Sequence, residues 1–132
     1  MNDHNSTQTK ATLALGAVWL AALAWLAVPD AVRAADDAHG KQVFAACAAC
    51  HSDKPDAIGP SLRGVFGRKS GTLSDFRYSN AMRRAGLIWN EDNLRAYIKD
   101  PQSKVPGNRM PFGGLQSDKD IDDVIGYLKN YR

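Results

Sequence analysis

A chain of 132 residues has room for one domain, and its 17 Lys and Arg against 14 Asp and Glu leave a net charge of only +3. No basic run interleaved with aromatics is present, so a nucleic-acid partner is not expected. Two cysteines, Cys47 and Cys50, with only His4 and His39 as further histidines beyond His51, are too few and too scattered for a four-ligand zinc site.

Residues 1–10 are polar, and Ala11 to Val28 is an uninterrupted apolar stretch broken by Pro29 and Asp30. The order polar, apolar, small-residue exit is that of a secretory signal, with Val32 and Ala34 filling the small-residue positions and a cut after Ala34. Eighteen apolar residues also approach the length of a membrane span, so an uncleaved anchor is the competing reading. Either way the remainder, residues 35–132, is expected to lie outside the cytoplasm. It carries fifteen Lys and Arg against twelve Asp and Glu.

Ala38 to Ala49 reads as a first helix, because Gly40, Val43, Phe44 and Cys47 recur at i, i+3, i+4, i+7. A glycine inside a helix costs about 1 kcal/mol against alanine, so Gly40 implies a close approach by another backbone. The helix runs into Cys47-Ala48-Ala49-Cys50-His51. Two cysteines at this spacing followed by histidine are the attachment signature of a c-type haem. On one helical turn both thiols face the same side and can add to two vinyl groups, while His51 can ligate the iron from below. A thioredoxin-like dithiol would need a preceding strand, and Val43 to Cys50 shows no strand alternation. A disulfide between Cys47 and Cys50 would leave the adjacent histidine unexplained.

Ser52 to Gly71 holds Pro55, Gly59, Pro60, Gly64, Gly67 and Gly71, which exclude long helices or strands and suit a loop wrapped round a cofactor. A short helix is possible over Asn80 to Ala85. Asn90 caps a third helix with Glu91 and Asp92 in its first turn, a face of Leu94, Tyr97 and Ile98, and Pro101 at its end. The loop Val105 to Gly114 carries two prolines, three glycines and Met110. A lone methionine usually fills a core gap. On a rigid loop in a chain that needs a sixth ligand for haem iron, Met110 is instead the candidate, and a thioether there raises the potential. Met82, beside Arg83 and Arg84, is the weaker candidate. Ser117 then caps a last helix with Asp118 and Asp120 in its positive end. Ile121, Val124, Ile125 and Leu128 form its stripe, and Gly126 and Tyr127 are placed to meet Gly40. No strand of substance is expected, so the domain is all-α.

The pattern closely resembles class I cytochrome c, of the mitochondrial and bacterial periplasmic carrier type. The matching segments are residues 40–51 (GKQVFAACAACH), 59–71 (GPSLRGVFGRKSG), 76–81 (FRYSNA), 86–91 (GLIWNE) and 106–112 (PGNRMPF). The resemblance implies three main helices plus loops around one haem c, with the terminal helices crossing at Gly40, Phe44 and Tyr127. It implies that the Pro60 carbonyl accepts a hydrogen bond from His51. Tyr78 and Trp89 would donate to a buried haem propionate, with Arg68 nearby, and Tyr97 would point its hydroxyl at the Met110 sulfur. The chain departs from the family in having Met82 where Asn is frequent, Asn108 where Thr is frequent, and a shorter segment between His51 and Gly59. These departures bear on the potential and on the iron–sulfur bond.

What the resemblance and the ligands together imply is a one-electron carrier of a periplasmic respiratory or photosynthetic chain, not an enzyme, and a monomer. Donors would be a cytochrome bc-type complex or a dehydrogenase; acceptors would be an oxidase, a reductase or a reaction centre. Lys54, Arg68, Lys69, Arg83, Arg84, Lys104 and Arg109 are candidates to rim the haem edge and steer such partners. Two alternatives stay open: the same carrier held in the membrane by residues 11–28, and a haem peroxidase or ligand sensor in which Met110 is labile.

Overall fold

The computed structural model describes residues 30–132, with side chains from Asp37 onward. The apolar segment read as signal or anchor lies outside the described residues. Among those described, no helix is long and apolar enough to cross a membrane.

Five helices follow in order: α1 (Asp30–Ala48), α2 (Asn80–Arg84), α3 (Glu91–Lys99), α4 (Pro101–Lys104) and α5 (Asp118–Asn130). The only β-pairing among the described residues is one isolated antiparallel bridge, Lys69 to Ile88. This is an all-α chain, as the sequence predicts. The helix α1 starts eight residues before the expected Ala38. Four alanines within Asp30–Ala38, the best helix formers, account for the extension.

The caps form as their residue types require. The side chains of Ser79, Asn90 and Ser117 accept from the backbone N–H of Met82, Asn93 and Asp120 at the starts of α2, α3 and α5. Pro101 ends α3, as expected, but it also opens α4, which sequence reading misses. Asp100 serves both helices. Its N–H reaches the Ala96 carbonyl, and its carboxylate accepts from the Ser103 N–H at 2.9 Å. Proline is then at home in the first turn of α4, where its missing N–H costs nothing.

The first and last helices cross at Gly40. A Cβ there would lie 2.9 Å from the Asp123 carbonyl carbon and 3.0 Å from Tyr127 Cβ, so only glycine lets the backbones meet. Tyr127 takes part as expected, whereas Gly126 has nothing within 4 Å of its own hypothetical Cβ and is not the crossing point. Phe44 packs its ring 5.1 Å from Tyr127 and 4.9 Å from Tyr131. Ile121, Val124, Ile125 and Leu128 are each at most 4% exposed, and burial on that scale is worth about 1.5–3 kcal/mol per side chain.

A second layer of order comes from the turn-rich stretch. Trp89 N–H donates to the Arg68 carbonyl at 2.9 Å, Ser70 N–H to Leu87 at 2.8 Å, and Gly67 N–H to Trp89 at 3.0 Å. These bonds lash the loop before α2 to the strand-like residues before α3. Between the lashed loop, α3 and α5 the chain surrounds a cavity.

Candidate functional site

The last turn of α1 delivers Cys47, and the chain then tightens: the Cys50 and His51 N–H groups both bond to the Cys47 carbonyl, at 3.1 and 2.9 Å. Cys47, Cys50 and His51 are thereby brought onto the wall of a cavity of about 570 Å³. Both cysteines are free thiols and half-buried. Burial pushes the Cys47 thiol up from its ordinary pKa, which keeps it protonated and uncharged near neutrality.

The imidazole of His51 is fixed from behind. Its Nδ1 lies 2.7 Å from the Pro60 carbonyl oxygen, an acceptor only, so Nδ1 carries the proton and Nε2 keeps its lone pair. Burial lowers the His51 pKa, so the ring stays neutral. Gly59 is the residue that sequence reading undervalues here. A Cβ at that position would sit 2.7 Å from both Cε1 and Nδ1 of His51, so only glycine admits the ring. Its N–H also bonds to the Cys50 carbonyl at 2.9 Å, closing the loop that carries Pro60 back onto the motif.

Met110 comes to the same cavity from the loop between α4 and α5. The Tyr97 hydroxyl, on α3, donates to the Met110 sulfur at 3.7 Å. Burial pushes the Tyr97 phenol up to about 12, so it remains a donor at any ordinary pH.

Pro60, Arg68, Tyr78 and Trp89 line this cavity too, and with them all nine site residues expected from sequence gather at one place. The guanidinium of Arg68 is held by the Ser61 and Arg63 carbonyls, at 2.8 and 2.9 Å. Tyr78 is half-buried, and burial raises its phenol above the ordinary tyrosine value. Trp89 is buried, its ring 5.1 Å from that of Tyr97.

Three placements differ from expectation. Met82 is not on a polar face: it is buried and on the cavity wall, because α2 turns that one side chain inward while Arg83 and Arg84 stay exposed. Of the seven cations expected around the haem edge, only Arg68 and Arg109 line the cavity. Arg77 does so as well and was not anticipated; Arg84 and Lys104 instead flank a separate hollow of about 290 Å³. No carboxylate lines the large cavity.

This donor set suits a haem. Two thiols, a neutral imidazole and a thioether converge on an otherwise apolar space within the usual size range of cofactor pockets. Among the described residues no three His, Cys, Asp or Glu side chains gather as a metal-ion site.

A family model described as Cytochrome c matches residues 38–132. The chain is similar to "Cytochrome c2" of Blastochloris viridis, with 44% identity over 110 residues, 80% of this chain and 87% of that protein. It is similar to "Cytochrome c2 iso-2" of Magnetospirillum fulvum, with 46% identity over 89 residues, 66% of this chain and 93% of that protein. Among solved structures, cytochrome cH from Methylobacterium extorquens is similar at a TM-score of 0.69 and 41% identity, covering 72% of this chain and 98% of that one.

Proposed function

Because the chain belongs to the cytochrome c family, whose members are mono-haem electron carriers and not enzymes, we propose that it is a periplasmic one-electron carrier with His51 and Met110 as axial ligands. The observation that carries this reading is the single cavity in which His51, backed by Pro60, and Met110, met by Tyr97, are walled in together.

One covalently bound haem c goes with the family, and when bound it supplies a ferric–ferrous couple at a nearly fixed structure. The rest is the work of this chain. Cys47 and Cys50 would hold the group, each S–H adding across one vinyl group to give a thioether with no by-product. The Pro60 carbonyl fixes the tautomer of His51 and so aims its Nε2 lone pair. Met110 offers its thioether from the loop after α4, and the Tyr97 hydroxyl draws electron density from that sulfur. Tyr78, Trp89 and the positive charge of Arg68 serve a buried propionate, which would be costly without them. Buried apolar walls from Val65, Leu94 and Leu128 exclude water, which keeps reorganisation on electron transfer small.

Residues 1–34 would direct export, and their removal after Ala34 would leave a monomeric domain of residues 35–132. Arg68, Arg77 and Arg109 on a cavity wall that carries no carboxylate favour an acidic docking face. A cytochrome bc-type complex or dehydrogenase as donor, and an oxidase, reductase or reaction centre as acceptor, fit that requirement.

The test is an absorption spectrum of the matured protein, oxidised and reduced, followed by addition of cyanide and carbon monoxide. A far-red band of methionine sulfur on ferric haem, with slow or absent ligand uptake, is expected. A missing band with rapid uptake would instead favour the peroxidase or sensor reading.

A further inference from the structure

We propose that Asn108 is a positioning residue for Met110, clamping the backbone of the methionine loop so that the thioether stays in place. The inference rests on Met110 as the axial ligand. It concerns what decides whether that ligand lets go.

Asn108 is 7% exposed, among the few buried polar side chains of the domain. Its amide is used from both ends. Oδ1 accepts from the Met110 N–H at 2.9 Å, while Nδ2 donates to the carbonyls of Pro101 at 2.8 Å and Val105 at 2.9 Å. Pro101 opens α4 and Val105 closes it, so one side chain ties both ends of that helix to the backbone of the residue that carries the sulfur. The main chain of Asn108 is held in addition: its N–H donates to the Val105 carbonyl at 3.1 Å, and Gln102 Nε2 donates to its carbonyl at 3.2 Å.

The chemistry requires an amide. The Pro101 and Val105 carbonyls already accept from the backbone N–H groups of Val105 and Asn108, so losing Nδ2 leaves neither of them bare. The Met110 N–H has no such second partner among the described residues, and it is orphaned if Oδ1 goes. Alanine therefore frees the loop at Met110 itself. Aspartate, of the same shape, keeps an acceptor for Met110 but turns two donations into contacts between carboxylate and carbonyl oxygens. Asn108 lines the cavity beside Met110, while the contact to the sulfur itself, from the Tyr97 hydroxyl, is left in place by both changes.

The experiment compares haem-loaded parent protein with N108A, N108D and, as a control for general destabilisation, D123N at the remote α1–α5 crossing. Three quantities are read on ferric protein: the far-red sulfur band, the cyanide association rate, and the thermal midpoint. Expected are a weakened band and cyanide uptake faster by about tenfold in N108A and N108D, as befits loss of one or two hydrogen bonds. D123N is expected to lower the thermal midpoint while keeping the parent band and parent cyanide rate. If N108A does not accumulate, the isosteric N108D decides. Parent-like band and rate in the Asn108 variants would overturn the clamp while leaving Met110 as ligand. So would an equal acceleration in D123N, which would mean that stability alone governs release. A parent protein with no band and fast uptake would instead sink the ligand assignment first.

Discussion

The Tyr97 hydroxyl and the Met110 sulfur lie 3.7 Å apart, a contact that would tune the sulfur as the proposed axial ligand. With the phenol pushed up to about 12 by burial, the donor is present throughout the physiological range. Removing it in Tyr97→Phe leaves the sulfur a better electron donor, which favours the ferric state. The midpoint potential should therefore fall, by roughly 20–40 mV for one weak hydrogen bond, with the far-red band retained. Protein-film or solution voltammetry on haem-loaded Y97F checks it, and an unchanged or raised potential would count against this geometry. At this scale the sequence was most informative where a motif has rigid chemistry. Cys47, Cys50 and His51 are legible because Cys-x-x-Cys-His is the attachment signature of a c-type haem, and Met110 because prolines and glycines surround it. Gly59 was not legible as a site residue, and Met82 and Asn108 were legible as departures that bear on the iron–sulfur bond but not in the roles the structure gives them. Gly59 matters only through a ring eight residues earlier, and Met82 only through the way α2 is turned. Asn108 matters through carbonyls three and seven residues before it, which become its partners only once α4 exists.

Among the elements, the crossing of α1 and α5 bears most on stability. Around it, Asp123 is buried on α5 and meets Lys119 Nζ from its own helix at 2.5 Å and His39 Nδ1 from α1 at 2.5 Å; Asp120 lies 3.7 Å from His39 Nε2. The Lys119 hydrogen bond first, and then His39, hold the Asp123 carboxyl below its ordinary value of 3.8. A carboxylate lowered on folding contributes stability above its unfolded pKa and loses it as the pH falls through the folded one. Asp123→Asn should thus cost about 1–3 kcal/mol at pH 7, and the gap to the parent should close below about pH 4. Urea titrations at pH 7, 5 and 3 measure this, and a gap independent of pH would mean that packing, not charge, is what Asp123 supplies. The helices themselves were legible from their caps, since Asn90 and Ser117 do what their side chains are built to do. Of the crossing partners Tyr127 was legible, whereas Asp123 was not. Asp123 and Tyr127, four residues apart, share the face toward Gly40, and Gly126 is turned about 100° from Tyr127 on the same helix. Composition favoured the glycine, but helical phase chose its neighbours. Likewise α4 was hidden because proline was read as a stop, when Asp100 lets it stop one helix and start the next.

For the molecule as a whole, core and site are built from the same residues. Val65, Met82, Trp89, Leu94, Tyr97, Val124 and Leu128 belong to the buried core, and each also forms part of the wall around about 570 Å³. A domain this small buries a limited share of its chain on folding and sits near the margin of stability. Cavities cost about 24 cal/mol per Å³ in proteins that cannot collapse around them. Without the haem, the same walls would forgo on the order of 10 kcal/mol, as much as the whole stability of an ordinary domain. Little among the described residues offsets that loss: no disulfide joins Cys47 to Cys50, and the ion pairs Lys99–Asp118 and Lys129–Glu91 are exposed and worth little. Folding is therefore expected to depend on haem attachment. The double variant Cys47→Ser, Cys50→Ser, exported where haem cannot be attached, should show little helical circular dichroism and no cooperative thermal transition. A sharp transition in that chain would mean that the terminal helices and their aromatic contacts with Phe44 carry the fold alone. The cavity would then be a preformed receptacle, not a core waiting for its centre.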